Sequence, residues 1–418
     1  MTNIKTAVKK ICSDVKNAAN NFALDLATRN QILQIVASSI KQHFQEIILA
    51  NKKDLENAAK NNLDAAKIDR LTLNESRILA LANSVEEIAK LPDPLGKILY
   101  ETNRNNGLHI RRVSVPIGIL LAIFESRPNV AVDIAALALK SGNAVILRCG
   151  SDSIHSAQIL VGFFRDALEK LNIDPNLIYL VESTDRDYVK QLLKMENFID
   201  VVIPRGGKSL IEAITKNTRI PLFKHLTGNC HTYIHEKCDE EKARQILLNA
   251  KLRRVGICGA TESLLIDKKI AKNILPKITH DLFTNCCEMR GDKASQKIDS
   301  RIKPATNKDY FTEYLDKIIS IKIVKNIDEA IAHINKYSSS HTECIVSEDE
   351  NAAQKFFNKI NSAIVMHNAS TQFADGAEFG LGAEVGISTG KLHARGPVGL
   401  EQLTTYKYIV DAKCGLRA

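Results

Sequence analysis

An α/β fold with two parallel-sheet regions is predicted for this 418-residue chain by three features of its sequence. A long, proline-free helical stretch opens it. Short apolar, β-branched runs then alternate with helical segments from Val115 onward, and the same alternation resumes from about Cys230 to Val365. Strand and helix in alternation imply a parallel sheet covered on both faces. A chain of this length also exceeds what one compact core holds, which points to two domains or more.

Residues 1 to about 90 read as helix. Ala, Leu, Lys, Asn and Glu dominate, Ile32, Ile35, Val36 and Ile40 recur at three-to-four spacing, and no proline precedes Pro92. Leu91-Pro-Asp-Pro-Leu-Gly96 breaks the pattern. Ile98 to Val115 alternates around the Asn105-Asn-Gly107 turn and reads as a long hairpin. Strands follow at Ile117–Phe124, Ala144–Leu147, Leu177–Val181 and Val201–Ile203, bounded by Gly, Pro or Asn. Helices are predicted between them at Ala131–Lys140, Ser153–Leu171 and Asp187–Met195, and Arg205-Gly206-Gly207 opens another. Beyond Gly399, Leu403–Ala412 reads as one last strand. No internal repeat or low-complexity linker interrupts the chain.

The hydrophobic fraction of 44% and charged fraction of 25% are those of an ordinary soluble protein. The net charge of +9 is a modest excess of 57 basic over 48 acidic residues. It is scattered in pairs such as Lys52-Lys53 and Arg111-Arg112, without aromatic interleaving or any nucleic-acid motif. The sequence therefore predicts no nucleic-acid partner. The most apolar stretch, Val115 to Phe124, is ten residues long and holds Pro116 and Gly118. That is short of the roughly 20 residues a membrane helix needs. The N-terminus is charged throughout and lacks a signal-peptide core. Nine cysteines at irregular spacing indicate reduced thiols and a cytoplasmic chain.

Three familiar signals fail. The nearest approach to G-x-G-x-x-G, Gly380-Leu-Gly382-Ala-Glu-Val-Gly386, has the wrong spacing. Pro204-Arg-Gly-Gly-Lys208-Ser209 looks like the end of a P-loop, but the first glycine of that motif would fall at Val202. Cys230, His231, His235 and Cys238 match no common zinc spacing, so no metal is expected.

One segment does suggest chemistry. Cys258 lies between small residues, after Arg253 and Arg254, at what reads as the start of a helix. Positive charge and a helix N-terminus both favour thiolate. By itself this leaves open a small core cysteine.

Several stretches carry a resemblance that spans nearly the whole chain in order. They are Ala50–Leu55, Val115–Gly118, Phe124-Glu-Ser-Arg-Pro-Asn-Val130, Ile203–Gly207, His225-Leu-Thr-Gly-Asn-Cys-His231, the Cys258 segment and His333–Glu343. Most specific are Phe373-Ala-Asp-Gly376, Gly380–Thr389 and Lys391-Leu-His-Ala-Arg-Gly-Pro-Val-Gly-Leu-Glu401. In these the chain resembles the γ-glutamyl phosphate reductase branch of the aldehyde dehydrogenase superfamily.

The resemblance implies an aldehyde-dehydrogenase-like fold: two Rossmann-type parallel-sheet domains plus a small β oligomerisation element. Residues 1–94 and 115–229 would bind NADPH, 230–401 would carry Cys258, and 95–114 with 402–418 would form the oligomerisation hairpin and tail strand. It implies NADPH-dependent reduction of L-glutamyl 5-phosphate to glutamate 5-semialdehyde through a thioester on Cys258. The backbone N–H of Cys258 and the Asn129 side chain are the implied oxyanion donors. Hydrolytic aldehyde dehydrogenases place a water-activating glutamate upstream of the nucleophile. The corresponding stretch here begins with His225 and holds no acid, as suits an enzyme whose partner is phosphate.

Arg148 and Ser151, at a strand end that meets the adenosine ribose in the superfamily, imply tolerance of a 2′-phosphate. A surface ion pair for Arg148 stays open on the residues alone. Pro204, Arg205, Gly206 and Gly207 are implied at the pyrophosphate. Arg127, Lys391, His393 and Arg395 are the candidates for the anionic substrate, with packing roles equally open; His333 and His341 are open between structure and catalysis. A homo-oligomer, dimer or tetramer, and glutamate 5-kinase as a channelling partner are also implied. Three positions depart from the family pattern: Gln372 in place of arginine, Cys149 in place of glycine, and Ser338-Ser-Ser340.

Overall fold

The computed structural model describes residues 4–224, 226–413 and 415–416. The chain divides into two compact units. The first comprises Met1–Lys224, Gly380–Gly386 and Val398–Ala418; the second comprises His225–Phe379 and Ile387–Pro397.

The first unit opens with five helices, α1 (Ile4–Asn20), α2 (Leu26–Gln42), α3 (Phe44–Lys60), α4 (Ala65–Leu71) and α5 (Glu75–Lys90). Asp25, Asp64 and Asn74 cap the N-termini of α2, α4 and α5 by accepting from backbone N–H groups one turn in. The three-to-four spacing read in α2 becomes the buried stripe Ile32, Leu33, Val36, Ala37 and Ile40. The predicted hairpin follows as β1 (Ile98–Asn103) and β2 (His109–Pro116), with Gly107 at φ 83° in its turn.

Next come β3 (Ile119–Phe124), α6 (Pro128–Lys140), β4 (Ala144–Cys149), α7 (Ile154–Lys170), β5 (Ile178–Leu180), α8 (Arg186–Leu192), β6 (Val201–Arg205) and α9 (Lys208–Asn217). The sheet order is β5-β4-β3-β6, all parallel. Every residue of β3 and β4 is buried, as strands covered by helices on both faces must be. Strand order reverses at β3, so the crevice at the carboxyl ends of β3 and β6 is the topological switch point.

Buried polar links tie the opening helices to this sheet. Asp54 on α3 accepts from His155 N–H at 3.1 Å, Ser156 N–H at 2.8 Å and Ser156 Oγ at 2.6 Å, capping α7. Lys140, fully buried at the end of α6, donates to Asn30 Oδ1 at 2.5 Å and Ala89 O at 2.8 Å.

The second unit continues with β7 (Cys230–Ile234), α10 (Glu240–Leu252), β8 (Thr261–Asp267), α11 (Lys268–Thr284), β9 (Glu288–Gly291), α12 (Lys293–Gln296), β10 (Lys303–Pro304), β11 (Ile318–Val324), α13 (Ile327–Tyr337), β12 (Thr342–Val346), α14 (Glu350–Lys359) and β13 (Ile364–His367). Its parallel sheet runs β10-β9-β11-β8-β7-β12-β13. One face packs Ile234, Leu264, Ile266, Ile319 and Ile321 against α10 and α11. The other packs Tyr233, Leu265 and Ile345 against α13 and α14. The short β14 (Ile387–Ser388) and β15 (Gly396–Pro397) pair antiparallel.

The tail strand β16 (Thr404–Asp411) returns to the first unit, where it pairs antiparallel with β2 in the sheet β1-β2-β16. Of the predicted tail, residues 414, 417 and 418 lie outside the described residues, and so does His225. Among the described residues no helix is long and apolar enough to cross a membrane, and no group of three or more His, Cys, Asp or Glu could hold a metal ion.

Candidate active site

In the first unit, the motifs singled out in the sequence meet at the carboxyl ends of β3, β4 and β6. Glu125 N–H donates to Arg205 O at 3.1 Å and Gly150 N–H to Phe124 O at 2.9 Å, so the three strand ends are laced together. Ser126, at φ 49°, turns the chain out of β3, and its hydroxyl donates to Asp152. Arg127 and Gly207 are the N-cap residues of α6 and α9, and neither helix has a side-chain cap. In α6 Pro128 has no N–H and Val130 N–H turns back to Arg127 O, and in α9 Leu210 N–H turns back to Gly207 O, which leaves Asn129, Lys208 and Ser209 to offer N–H groups to an anion. A Cβ on Gly206 would lie 2.6 Å from Leu210 Cδ2 and 2.7 Å from Glu125 Oε2, so a side chain there would have to displace both side-chain ends.

Arg148 is 7% exposed, and its Nη2 donates to Thr184 O at 2.8 Å. Buried nearby in sequence, Arg148 Nε, Asp152 Oδ1 and Ser153 Oγ have no protein partner among the described residues. Ser151 is exposed in the same turn. Burial pushes the Cys149 thiol up to about 12, so this departure from glycine adds a neutral, inert side chain. Asn129 donates from Nδ2 to Asp133 Oδ2 at 3.2 Å, one turn along α6. Burial, outweighing Asn129 and Arg205, raises the Asp133 carboxyl to about 6.

In the second unit, Cys258 is half-buried in the turn between α10 and β8. The sequence reading that a helix starts here is corrected by the structure. Gly259 and Ala260 close the turn and Thr261–Asp267 continues as strand β8. Ala-Thr-Glu-Ser-Leu-Leu-Ile has adequate helix propensity, but it fills a sheet position between β11 and β7 and is buried throughout. Tertiary context overrides propensity. The helix start expected at this thiol, and with it that source of thiolate stabilisation, is therefore not found in this segment.

The turn is held by unusually close packing. Cys230 Sγ donates to the Cys258 carbonyl at 3.1 Å, and a Cβ on Gly228 would lie 2.1 Å from that same oxygen. On the other side, a Cβ on Gly259 would meet Thr371 O at 3.1 Å. Below, Lys251 and Glu262 form a fully buried ion pair at 2.5 Å, and burial lifts the Glu262 carboxyl to about 7 despite its lysine. Burial drives the thiols of Cys12 and Cys344 up to about 12 and those of Cys238 and Cys287 to about 11, so these are protonated bystanders at neutral pH.

The histidine-rich motif is internal. His231 and Glu343 are fully buried and pair at 3.0 Å, with Ser362 Oγ donating to Glu343 at 3.1 Å. His333 stacks edge-on to Tyr310, and burial drops its imidazole to about 3. Of the substrate candidates, Lys391 and His393 are exposed, while Arg395 Nη1 donates to Asn361 Oδ1 at 2.8 Å. Gly228, Cys230 and Gln372, which line or brace the Cys258 turn, were not singled out for that role by the sequence. Only the glycine between Thr227 and Asn229 offered a hint of close approach.

The model of the aldehyde dehydrogenase family matches residues 3–316, and the two parallel-sheet units are the fold of that class of oxidoreductase. The chain is 48% identical to the γ-glutamyl phosphate reductase of Paramagnetospirillum magneticum over 417 residues, covering 100% of this chain and 99% of that one. It is 51% identical to that of Brucella suis over 409 residues, covering 96% and 97%. The crystal structure of γ-glutamyl phosphate reductase from Thermotoga maritima superposes with a TM-score of 0.96 at 41% identity, covering 98% and 100%. The chain belongs to the γ-glutamyl phosphate reductases of the aldehyde dehydrogenase family.

Proposed function

We propose that this chain reduces L-glutamyl 5-phosphate to L-glutamate 5-semialdehyde and phosphate with NADPH, a step of proline biosynthesis, through a thioester on Cys258. The reading rests on near-full-length similarity to γ-glutamyl phosphate reductases, joined to a half-buried cysteine on a turn packed too tightly to wander. The Cys258 thiolate attacks the acyl carbon and expels phosphate. The Cys258 N–H and Asn129 are the donors proposed for the oxyanion.

A nicotinamide cofactor fits the first unit. The uncapped helix N-termini at Arg127 and Gly207, and Pro204–Gly207 at the switch point, suit its pyrophosphate. The unpartnered Arg148 Nε, with Ser151 at the position where an acid favours NAD, suits a 2′-phosphate and hence NADPH. When bound, NADPH supplies the hydride that reduces the thioester; collapse of the resulting thiohemiacetal frees the semialdehyde and the thiolate. Arg127, Lys391, His393 and Arg395 are the proposed substrate contacts, Arg395 with part of its guanidinium already held by Asn361. No acid lies in the described stretch 226–231 to activate water against the thioester.

The sheet β1-β2-β16 is proposed as the oligomerisation element. Tyr100, Tyr406, Tyr408 and Val410 are each about half exposed there, Tyr100 and Tyr408 opposite Arg112, Tyr406 opposite Ser114 and Val410 opposite Ile110. Tyr408→Asp should lower the mass seen by sedimentation. A cytoplasmic location and association with glutamate 5-kinase complete the proposal; gel filtration of the mixed proteins without a shared peak would refute the latter.

The deciding experiment follows NADPH formation from glutamate 5-semialdehyde and NADP⁺, with and without phosphate, for wild type and Cys258→Ala. Phosphate-dependent activity lost in the variant is expected. Activity that survives the substitution removes Cys258 from the mechanism, and coenzyme A-dependent activity without phosphate overturns the substrate assignment.

A further inference from the structure

We infer that Gln372 is a positioning residue for the nucleophile, clamping the chain where it leaves α10 and enters the turn that carries Cys258. Gln372 lies in the short 3₁₀ turn Thr371–Phe373 and is 3% exposed. Its Oε1 accepts from Arg253 Nε at 3.1 Å. Its Nε2 donates to Ala250 O at 2.8 Å and to Arg254 O at 3.4 Å. Ala250 is in the last turn of α10, where backbone carbonyls have no partner within the helix. One side-chain amide thus closes the end of α10 and sets the direction in which the chain leaves it towards Cys258.

The neighbouring residue secures the far end of the turn. Thr371 Oγ1 lies 3.0 Å from Thr261 Oγ1, which in turn lies 2.7 Å from Thr232 Oγ1. The Thr371 carbonyl rests against Gly259. Residues 372 and 371 therefore hold the chain before and after the reactive thiol, respectively, and Gln372 Oε1 is the acceptor for Arg253 Nε. An arginine at 372, with donors alone, could not make this bond to Arg253. The departure from the family pattern at this position is a working part of this chain's own turn.

The inference rests on Cys258 being the nucleophile. A positioning residue governs how the thiol meets the acyl carbon, not whether the thiol reacts with a small, freely diffusing reagent. Gln372→Met keeps the length and burial of the side chain and removes all three hydrogen bonds. It should lower kcat roughly ten- to a hundredfold. The KM for NADP⁺ should stay within twofold, and so should the rate at which iodoacetamide alkylates Cys258, read by peptide mass mapping against the exposed Cys286. Arg253→Met removes one bond of the three and should lose less, and it tests the clamp even where Gln372→Met folds poorly.

Unchanged kcat in Gln372→Met would overturn the inference, as would a loss of alkylation in step with kcat. Neither result bears on the nucleophile itself, whose failure would show as activity in Cys258→Ala.

Discussion

Gly228→Ala is the sharpest test of how closely the Cys258 turn is packed. The added Cβ would lie 2.1 Å from the Cys258 carbonyl oxygen, 2.6 Å from its Cα and 2.7 Å from its carbonyl carbon. Ordinary contact begins at 3.4 Å, so the shortfall at the oxygen, 3.4 less 2.1, is 1.3 Å. All three neighbours are backbone atoms, so no side-chain rotation relieves the clash. Either the 226–229 segment or the nucleophile turn must move by something near that distance. Displacement of a reacting group by about 1 Å costs on the order of a hundredfold in rate. Gly228 N–H also donates to Glu313 Oε1 at 2.8 Å, which opposes retreat of the 228 segment and directs the movement into the turn. Phosphate-dependent NADPH formation by the variant should show kcat down about a hundredfold, and the strained backbone contact should lower the melting temperature as well. A variant with wild-type kcat would refute the claim that this contact fixes the nucleophile.

Three further outcomes are expected. Burial holds the His333 imidazole near 3, below its ordinary 6.5, so the unfolded chain takes up a proton below pH 6.5 that the folded chain refuses. The associated stability is complete above pH 6.5 and falls as pH drops towards 3, with a slope approaching about 1.4 kcal/mol per pH unit; His333→Phe should flatten that slope in urea titrations. Lys251→Met strands the buried Glu262 carboxylate and should cost about 3–5 kcal/mol, whereas Lys251→Met combined with Glu262→Leu should recover most of it by the same measurement. Arg148→Ala should raise the KM for NADPH well above that for NADH in initial-rate assays, and equal effects on both would remove Arg148 from the 2′-phosphate.

Much of the fold was legible because its signals are local. Strands β3, β4 and β6 open on the apolar runs Ile119–Phe124, Ala144–Leu147 and Val201–Ile203, the turn of the β1–β2 hairpin carries Asn-Gly, and Gly207 stands at the head of α9 where a helix was expected. The turn at Cys258 was misread for the opposite reason. Nothing within the segment Gly259–Ile266 distinguishes a helix from a strand whose neighbours, β7 and β11, lie elsewhere in the sequence. The bracing of the site was illegible for the same cause: Gln372 meets Arg253 across 119 positions and Asp54 meets Ser156 across 102. Spacing rules act over a few turns of chain, and contacts of that span are set only when the sheets assemble. Even the Asn51–Asp54 stretch was visible as a motif, but its purpose, capping a helix a hundred residues on, was not.

The pairing of β2 with β16 has a consequence for how the protein is made. Arg111 and Asp411, joined by an ion pair across those strands, are 300 residues apart. During synthesis the second unit, spanning residues 225–379 and 387–397, is nearly complete while β2 still lacks a partner along one edge. For that interval the hairpin exposes the unpaired edge of β2 to its surroundings. Strand β16 thus acts as a closing stitch: translation halted before Thr404 would release a chain that carries the second unit and leaves an adhesive edge open on the first.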